Sequence, residues 1–120
     1  MKRAIRKVKQ REIAASELKL EAEASRSVAI LAKCLSDENR LRILLCLTGK
    51  KKSVTSIVEE VGLSQPLVSH HLKELKRCLL VNIERSGPFI YYGLADPRAL
   101  DIVNALSALA ADLVAMRKTL

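Results

Sequence analysis

Apolar positions in residues 54–80 recur in two short helical runs separated by a turn, and the rest of the chain is read around them. In the first run Ile57, Val58 and Val61 form one stripe, Thr55 is a candidate N-cap, and Gly62 is placed to end the helix in the left-handed conformation. In the second, Ser64 is a candidate N-cap and Pro66 lies in the first turn, where a missing amide costs little. Val68, Leu72, Leu75 and Leu79 then recur at steps of four, three and four, the buried edge of a helix. Gln65, Pro66, Ser69, His70 and Lys73 occupy the opposite edge. Two helices around a short glycine-containing turn form a helix-turn-helix, whose second helix lies in the DNA major groove.

Helical periodicity also frames this unit. Over residues 13–35, Leu20, Ala24, Val28, Leu31 and Leu35 form a stripe, and Ser25 is a possible break between one long helix and two. Ser36, Asp37, Glu38 and Asn39 make a helix start, with acids at the positive end of the dipole. That helix runs through Leu41, Leu44, Leu45 and Thr48 and stops near Gly49. After residue 80 the period changes to two. Residues 80–85 and 89–94 read as strands around Ser86-Gly87-Pro88, with Val81 and Ile83 alternating against Asn82 and Glu84. A hairpin directly after a helix-turn-helix is a wing, and Arg85 is the basic residue near its tip. Asp96-Pro97 then opens a last helix over residues 96–120, in which Ile102, Leu106, Leu109, Leu113 and Met116 follow at steps of four, three, four and three.

The predicted fold is therefore mainly α with a small β-hairpin: a basic arm at 1–12, then a winged helix-turn-helix over 13–120. Its terminal helices, 13–35 and 96–120, carry more apolar surface than so small a domain can bury. They are expected to pair two copies through Leu20, Leu31, Ile102, Leu106, Leu109 and Leu113. A two-fold axis would present two recognition helices to successive major grooves, so the expected operator is an inverted repeat in double-stranded DNA.

Charge and composition sharpen this picture. A net charge of +8 and a pI near 9.7 point to a polyanionic partner, nucleic acid before membrane. Lys2, Arg3, Arg6, Lys7, Lys9 and Arg11 make the N-terminal block a phosphate-binding arm or a solvated tail. Lys50, Lys51 and Lys52, in the loop after the second helix, are candidate phosphate contacts beside the helix-turn-helix. Aromatics are only 2% of residues, so the core must be aliphatic. No apolar run is expected to reach the ~20 residues that cross a bilayer, and no signal core follows the basic start, so a cytoplasmic protein is expected.

An ordinary solvated helix face favours Glu, Lys, Gln and Arg. The outward edge of the second helix instead carries Ser64, Ser69 and His70, short hydrogen-bonding groups suited to close approach. Gln65, Ser69 and His70 are the candidate contacts to base edges or backbone, with Lys73 at phosphate, and Thr55, Ser64, Pro66, Arg85, Lys51 and Lys52 complete the expected DNA-binding set. No Ser/His/acid set, glycine-rich phosphate loop or paired-carboxylate site marks an enzyme, and no cofactor is expected. A winged helix can also serve as a protein-interaction module, whose signature would be an apolar or acidic recognition face.

Residues 28–100 resemble the ArsR/SmtB family of bacterial and archaeal winged-helix repressors. The resemblance is carried by residues 35–44 (LSDENRLRIL), residues 62–73 (GLSQPLVSHHLK) and residues 91–94 (YYGL). It implies an obligate homodimer that represses transcription until an inducer binds, with Gln65, Ser69 and His70 on DNA. The chain departs from the family at the wing tip, where Pro88 rather than arginine follows Gly87. It departs again at both common metal sites. Residues 54–61 hold no cysteine for a metalloid. In the last helix Asp101 and Asp112 stand without histidine, Val103 taking the histidine position, so no zinc site is expected.

Three cysteines remain. Cys46, inside the apolar run 44–47, reads as a small buried hydrophobe. Cys34 ends a helix, and Cys78 follows Arg77, a neighbour that would favour a thiolate. A thiol- or metalloid-responsive sensor using Cys34, Cys46 or Cys78 is therefore the alternative to a repressor with another small-molecule inducer.

Overall fold

The computed structural model describes residues 22–119, Thr119 by its backbone alone. Leu20 and the basic arm at 1–12 lie outside the described residues. The elements run α1 (Ala22–Cys34), α2 (Glu38–Cys46), α3 (Val54–Val61), α4 (Gln65–Arg77), β1 (Val81–Ser86), β2 (Phe89–Leu94) and α5 (Arg98–Thr119). The chain divides between Lys33 and Cys34 into two units. α1, up to Lys33, belongs to the first. It carries Glu23 in its first turn and Lys33 in its last, the charge order that suits a helix dipole.

The second unit is organised by α2, α3 and α4. Ile43, Leu44, Leu47, Ile57, Val68, Leu72 and Leu75 are almost completely buried and form its core. These are all aliphatic, as the scarcity of aromatics requires. Asp37 caps α2 by accepting the Arg40 N–H at 3.0 Å. Ser64 caps α4 through Leu67 N at 3.4 Å, and Pro66 sits in its first turn. Gly62 ends α3 at φ +70°, where a residue with a Cβ would be strained.

Two local expectations are corrected. Ser53, not Thr55, caps α3: its hydroxyl accepts the Ser56 N–H at 3.2 Å, while Thr55 is exposed within the first turn. The cause is the preceding bridge, in which Lys52 and Tyr92 exchange backbone hydrogen bonds of 2.9 and 2.8 Å. Extended backbone thus reaches Lys52, and Ser53 is the next residue able to turn into the helix. Leu79, expected on the buried edge of α4, is instead 80% exposed at φ +63°. α4 stops first, in a Schellman closure: Leu80 N donates to Leu75 O and Leu79 N to Lys76 O, both at 3.0 Å. Leu80 and Leu75 supply the buried apolar pair of that closure, and Leu79 takes the left-handed position glycine usually fills.

The hairpin pairs β1 and β2 antiparallel, from Val81 opposite Leu94 to Ser86 opposite Phe89. The first strand begins one residue later than expected, because Leu80 still closes α4. α5 begins after Asp96, whose Oδ1 accepts Arg98 N at 2.9 Å. Its first turns are held by buried Ala99 and Val103. Beyond them Ile102, Leu106, Leu109 and Leu113 are 43–55% exposed. Residues 98–118 have a mean hydropathy of 1.6 in their most apolar window, so by length and composition alone this helix could cross a membrane. That corrects the expectation that no run comes close. Asp101 and Asp112 punctuate the segment without lowering its average enough.

Candidate DNA-binding face

α4 presents its two edges very differently. Val68, Leu72 and Leu75 anchor it in the core, while Gln65, Pro66, Ser69, His70 and Lys73 are all exposed. Ser64 is exposed too, with its hydroxyl committed to the cap. The anchoring matters for recognition, because a side chain reads a base edge only if its helix cannot roll. The structure therefore brings together every residue singled out on this helix. It adds Lys76, exposed and spaced with Ser69 and Lys73 at steps of four and three. That spacing was visible in the sequence.

His71 faces inward. It is 5% exposed, with Nε2 3.9 Å from Asp37 Oδ1, beyond hydrogen-bond reach, and Nδ1 buried without a hydrogen-bond partner among the described residues. Its ring nevertheless faces the residue that caps α2. The Arg40 N–H is the chief reason the Asp37 carboxyl is held below the usual carboxylate range, and the neighbouring His71 adds to it.

Two of the three loop lysines, Lys51 and Lys52, are engaged within the fold, while Lys50 is exposed. Lys52 Nζ lies 2.7 Å from Glu60 Oε2, donates to Cys46 O at 2.5 Å, and is mostly buried. Lys51 pairs with Glu84 at 2.7 Å across exposed surface. A lysine tied this way presents less charge to a phosphate than its sequence position suggests. Arg85 is exposed in β1, near the turn formed by Gly87 and Pro88.

Cys46 is another correction. It is half-buried rather than a core hydrophobe, and its S–H donates to Glu60 Oε2 at 2.9 Å. Burial, followed by that carboxylate, pushes its thiol up to about 11. Glu60 moves the opposite way, held low first by the Cys46 S–H and then by Lys52. The trio ties the end of α2 to α3. Arg42 Nη2 adds a second tie by donating to Val61 O. Arg77, expected to act on Cys78, lies 3.4 Å from Glu74 Oε1.

Among the described residues no group of three His, Cys, Asp or Glu side chains is placed to hold a metal ion.

Comparison with known proteins agrees with this architecture. Residues 37–82, from the α2 cap through α3 and α4 into β1, match the family model for bacterial regulatory proteins of the arsR family. The chain is 38% identical over 80 residues to a probable mercury resistance operon repressor of Streptomyces lividans, covering 67% of this chain and 64% of that protein. It is also 38% identical over 72 residues to the transcriptional repressor SdpR of Bacillus subtilis, covering 60% of this chain and 80% of SdpR. Among solved structures it resembles the homodimeric winged helix-turn-helix DNA-binding domain of Mb0332 from Mycobacterium bovis, a possible ArsR-family transcriptional regulator. That match has a TM-score of 0.69 at 26% identity and covers 78% of this chain and 87% of that one. With its helix-turn-helix core, its wing and these relatives together, the chain belongs to the arsR family of bacterial regulatory proteins and is a winged helix-turn-helix transcriptional regulator.

Proposed function

We propose that the protein is a cytoplasmic, homodimeric repressor that grips an inverted-repeat operator with the exposed edge of α4 and releases it when an inducer binds. The observation that carries this reading is the chemistry of that edge. Gln65, Ser69 and His70 are short polar groups, exposed on a helix whose other edge is locked in an aliphatic core. In this reading they contact base edges or backbone, each good base-edge pair contributing about 1–3 kcal/mol of discrimination. Lys73, Lys76 and Arg85 neutralise phosphates, and Lys51 and Lys52 contribute little beyond their internal pairs.

Dimerisation is supported by α5. Its exposed leucines continue into an apolar groove of about 350 Å³ lined by Leu35, Leu41, Leu45, Val103, Leu106 and Ala110. Water leaves such a face unstable and a second copy would cover it. The homodimeric Mb0332 domain offers a precedent with the same fold.

A competition titration of operator against random duplex tests the assignment to α4. Gln65→Ala combined with Ser69→Ala should erase the preference for operator while leaving the dimer and the salt-dependent background binding in place. Unchanged selectivity in the double variant would remove α4 from base reading.

A further inference from the structure

The chain places its single phenylalanine on the surface. Phe89 opens β2 opposite Ser86, closing a loop made by Gly87 and Pro88, and is 60% exposed. Gly87 takes φ +61°, the left-handed value that a tight hairpin loop needs at its first position, and the proline ring stiffens the second. Residues 84–90 are all exposed, so the end of the wing stands clear of the core. The Tyr91 ring lies beside Phe89 on the same face of the hairpin, with centroids 6.5 Å apart. Glu84, opposite Tyr91 on that face, is paired with Lys51 at 2.7 Å and so presents little net charge. On the other face Ile90, 39% exposed, lies opposite Arg85. The tip is therefore narrow, stiff and apolar, with Arg85 as the cation of residues 84–90.

The position of the wing says what this tip meets. Leu79 and Leu80 join the end of α4 directly to β1, which is anchored by buried Leu80 and Val81. The major groove that a recognition helix occupies is flanked by minor groove, about 6 Å wide, which admits a slim tip but not a second helix. At ~3.3 Å per residue, a strand of the length of β1 reaches about 20 Å, enough to pass from α4 across one strand of the DNA backbone.

We propose that the wing enters the minor groove beside each half-site as an apolar wedge, with the Phe89 ring pressed against one base step and partly unstacking it. The inference rests on the DNA-binding reading of α4 and adds a second source of sequence choice to it. A ring reads deformability rather than a hydrogen-bond pattern. Unstacking is easiest at pyrimidine–purine steps such as TA and CA, so the wing favours such a step at one position flanking each half-site. Pro88 and Ile90 extend the apolar edge, and Tyr91 braces the ring from the strand. Arg85 supplies charge for the adjacent phosphate. Lys51, by pairing with Glu84, removes a carboxylate charge that would repel the backbone.

The test uses the whole protein and operator duplexes flanked by A-tracts, in which a single TA step is moved one position at a time and its purine is 2-aminopurine. Wild type should prefer the step at one position on each side, and fluorescence should rise there as stacking is lost. Phe89→Ala should lose both the preference and the rise. Its affinity for the preferred duplex should fall roughly 5–150-fold, the worth of one aromatic–base stack. The slope of affinity against salt, which counts phosphate contacts, should stay as in wild type. Phe89→Leu keeps an apolar wedge and should keep part of both signals. Phe89 is exposed, so neither variant should change the circular dichroism or the dimer in sedimentation velocity. No step preference in wild type, or an undiminished preference and fluorescence rise in Phe89→Ala, overturns the wedge. So does loss of the dimer in Phe89→Ala, which would assign the ring to protein contact, or a reduced salt slope with the preference intact, which would assign the tip to phosphate alone. Absence of operator selection by wild type would contradict the repressor reading. The fluorescence of a plain duplex with TA steps, saturated with wild type or with Phe89→Ala, then still decides the wedge.

Discussion

α4 and α5 are written in the same apolar code and end in opposite environments. Val68, Leu72 and Leu75 of α4 are at most 1% exposed, while Ile102, Leu106, Leu109 and Leu113 of α5, at the same helical spacing, are 43–55% exposed. Periodicity states which edge of a helix is apolar; it does not state what covers it. For α4 the cover is α2 and α3 of the same chain. For α5, among the described residues, Ala99 and Val103 are buried from within and Leu100 is half-buried, while Ile102, Leu106, Leu109 and Leu113 stay exposed.

Substitutions on the two helices should therefore fail in different ways. The largest effect is expected at Leu72. Leu72→Ala empties a fully buried site and should cost about 2–5 kcal/mol in urea unfolding. A cost no greater than that of an exposed leucine would mean α4 is not anchored as described. On α5, Leu106→Glu with Leu109→Glu should leave the helical circular dichroism of the chain intact and abolish the dimer in sedimentation velocity. A double variant that still sediments as a dimer would move the interface off this face.

Smaller effects sharpen the account of how α4 is seated. Asp37 caps α2, so Asp37→Ala should cost about 0.5–2 kcal/mol. Its carboxyl is held low by the Arg40 N–H, so its contribution is complete above the unfolded pKa of about 4 and is lost as pH falls through the lower folded value. Asp37→Asn should flatten that acid limb of the stability curve; an unaltered limb would assign acid sensitivity elsewhere. The smallest effect is a gain. Leu79→Gly relieves a left-handed leucine that makes little contact, offset by the freer unfolded chain, and should stabilise by up to about 1 kcal/mol. A loss of stability would mean the Leu79 side chain packs on something outside the monomer.

How much of this was legible in the sequence follows the range of the forces involved. Features set by neighbours in the chain were readable: the Asp37 and Ser64 caps, the Gly62 turn, the hairpin, and the polar edge of α4. Features set by distant contacts were not. Thr55 and Ser53 are equally good caps locally, and only the Lys52–Tyr92 bridge selects Ser53. Leu79 keeps the period of α4, yet the chain leaves the helix one residue earlier to feed β1. Cys46 looks like core until Glu60 arrives from α3, and the same carboxylate withdraws Lys52 from the lysine cluster. The composition of the candidate DNA face was thus in the sequence, while the pairing of its flanking charges was not.

The most direct measurement is selection of duplexes from a random pool by the untreated wild-type protein, followed by sequencing of what is retained. The account predicts an enriched inverted repeat whose half-sites are centred about 10–10.5 base pairs, or a multiple, apart, one for each α4 of a dimer. Enrichment of a lone half-site, or of no sequence at all, would contradict it.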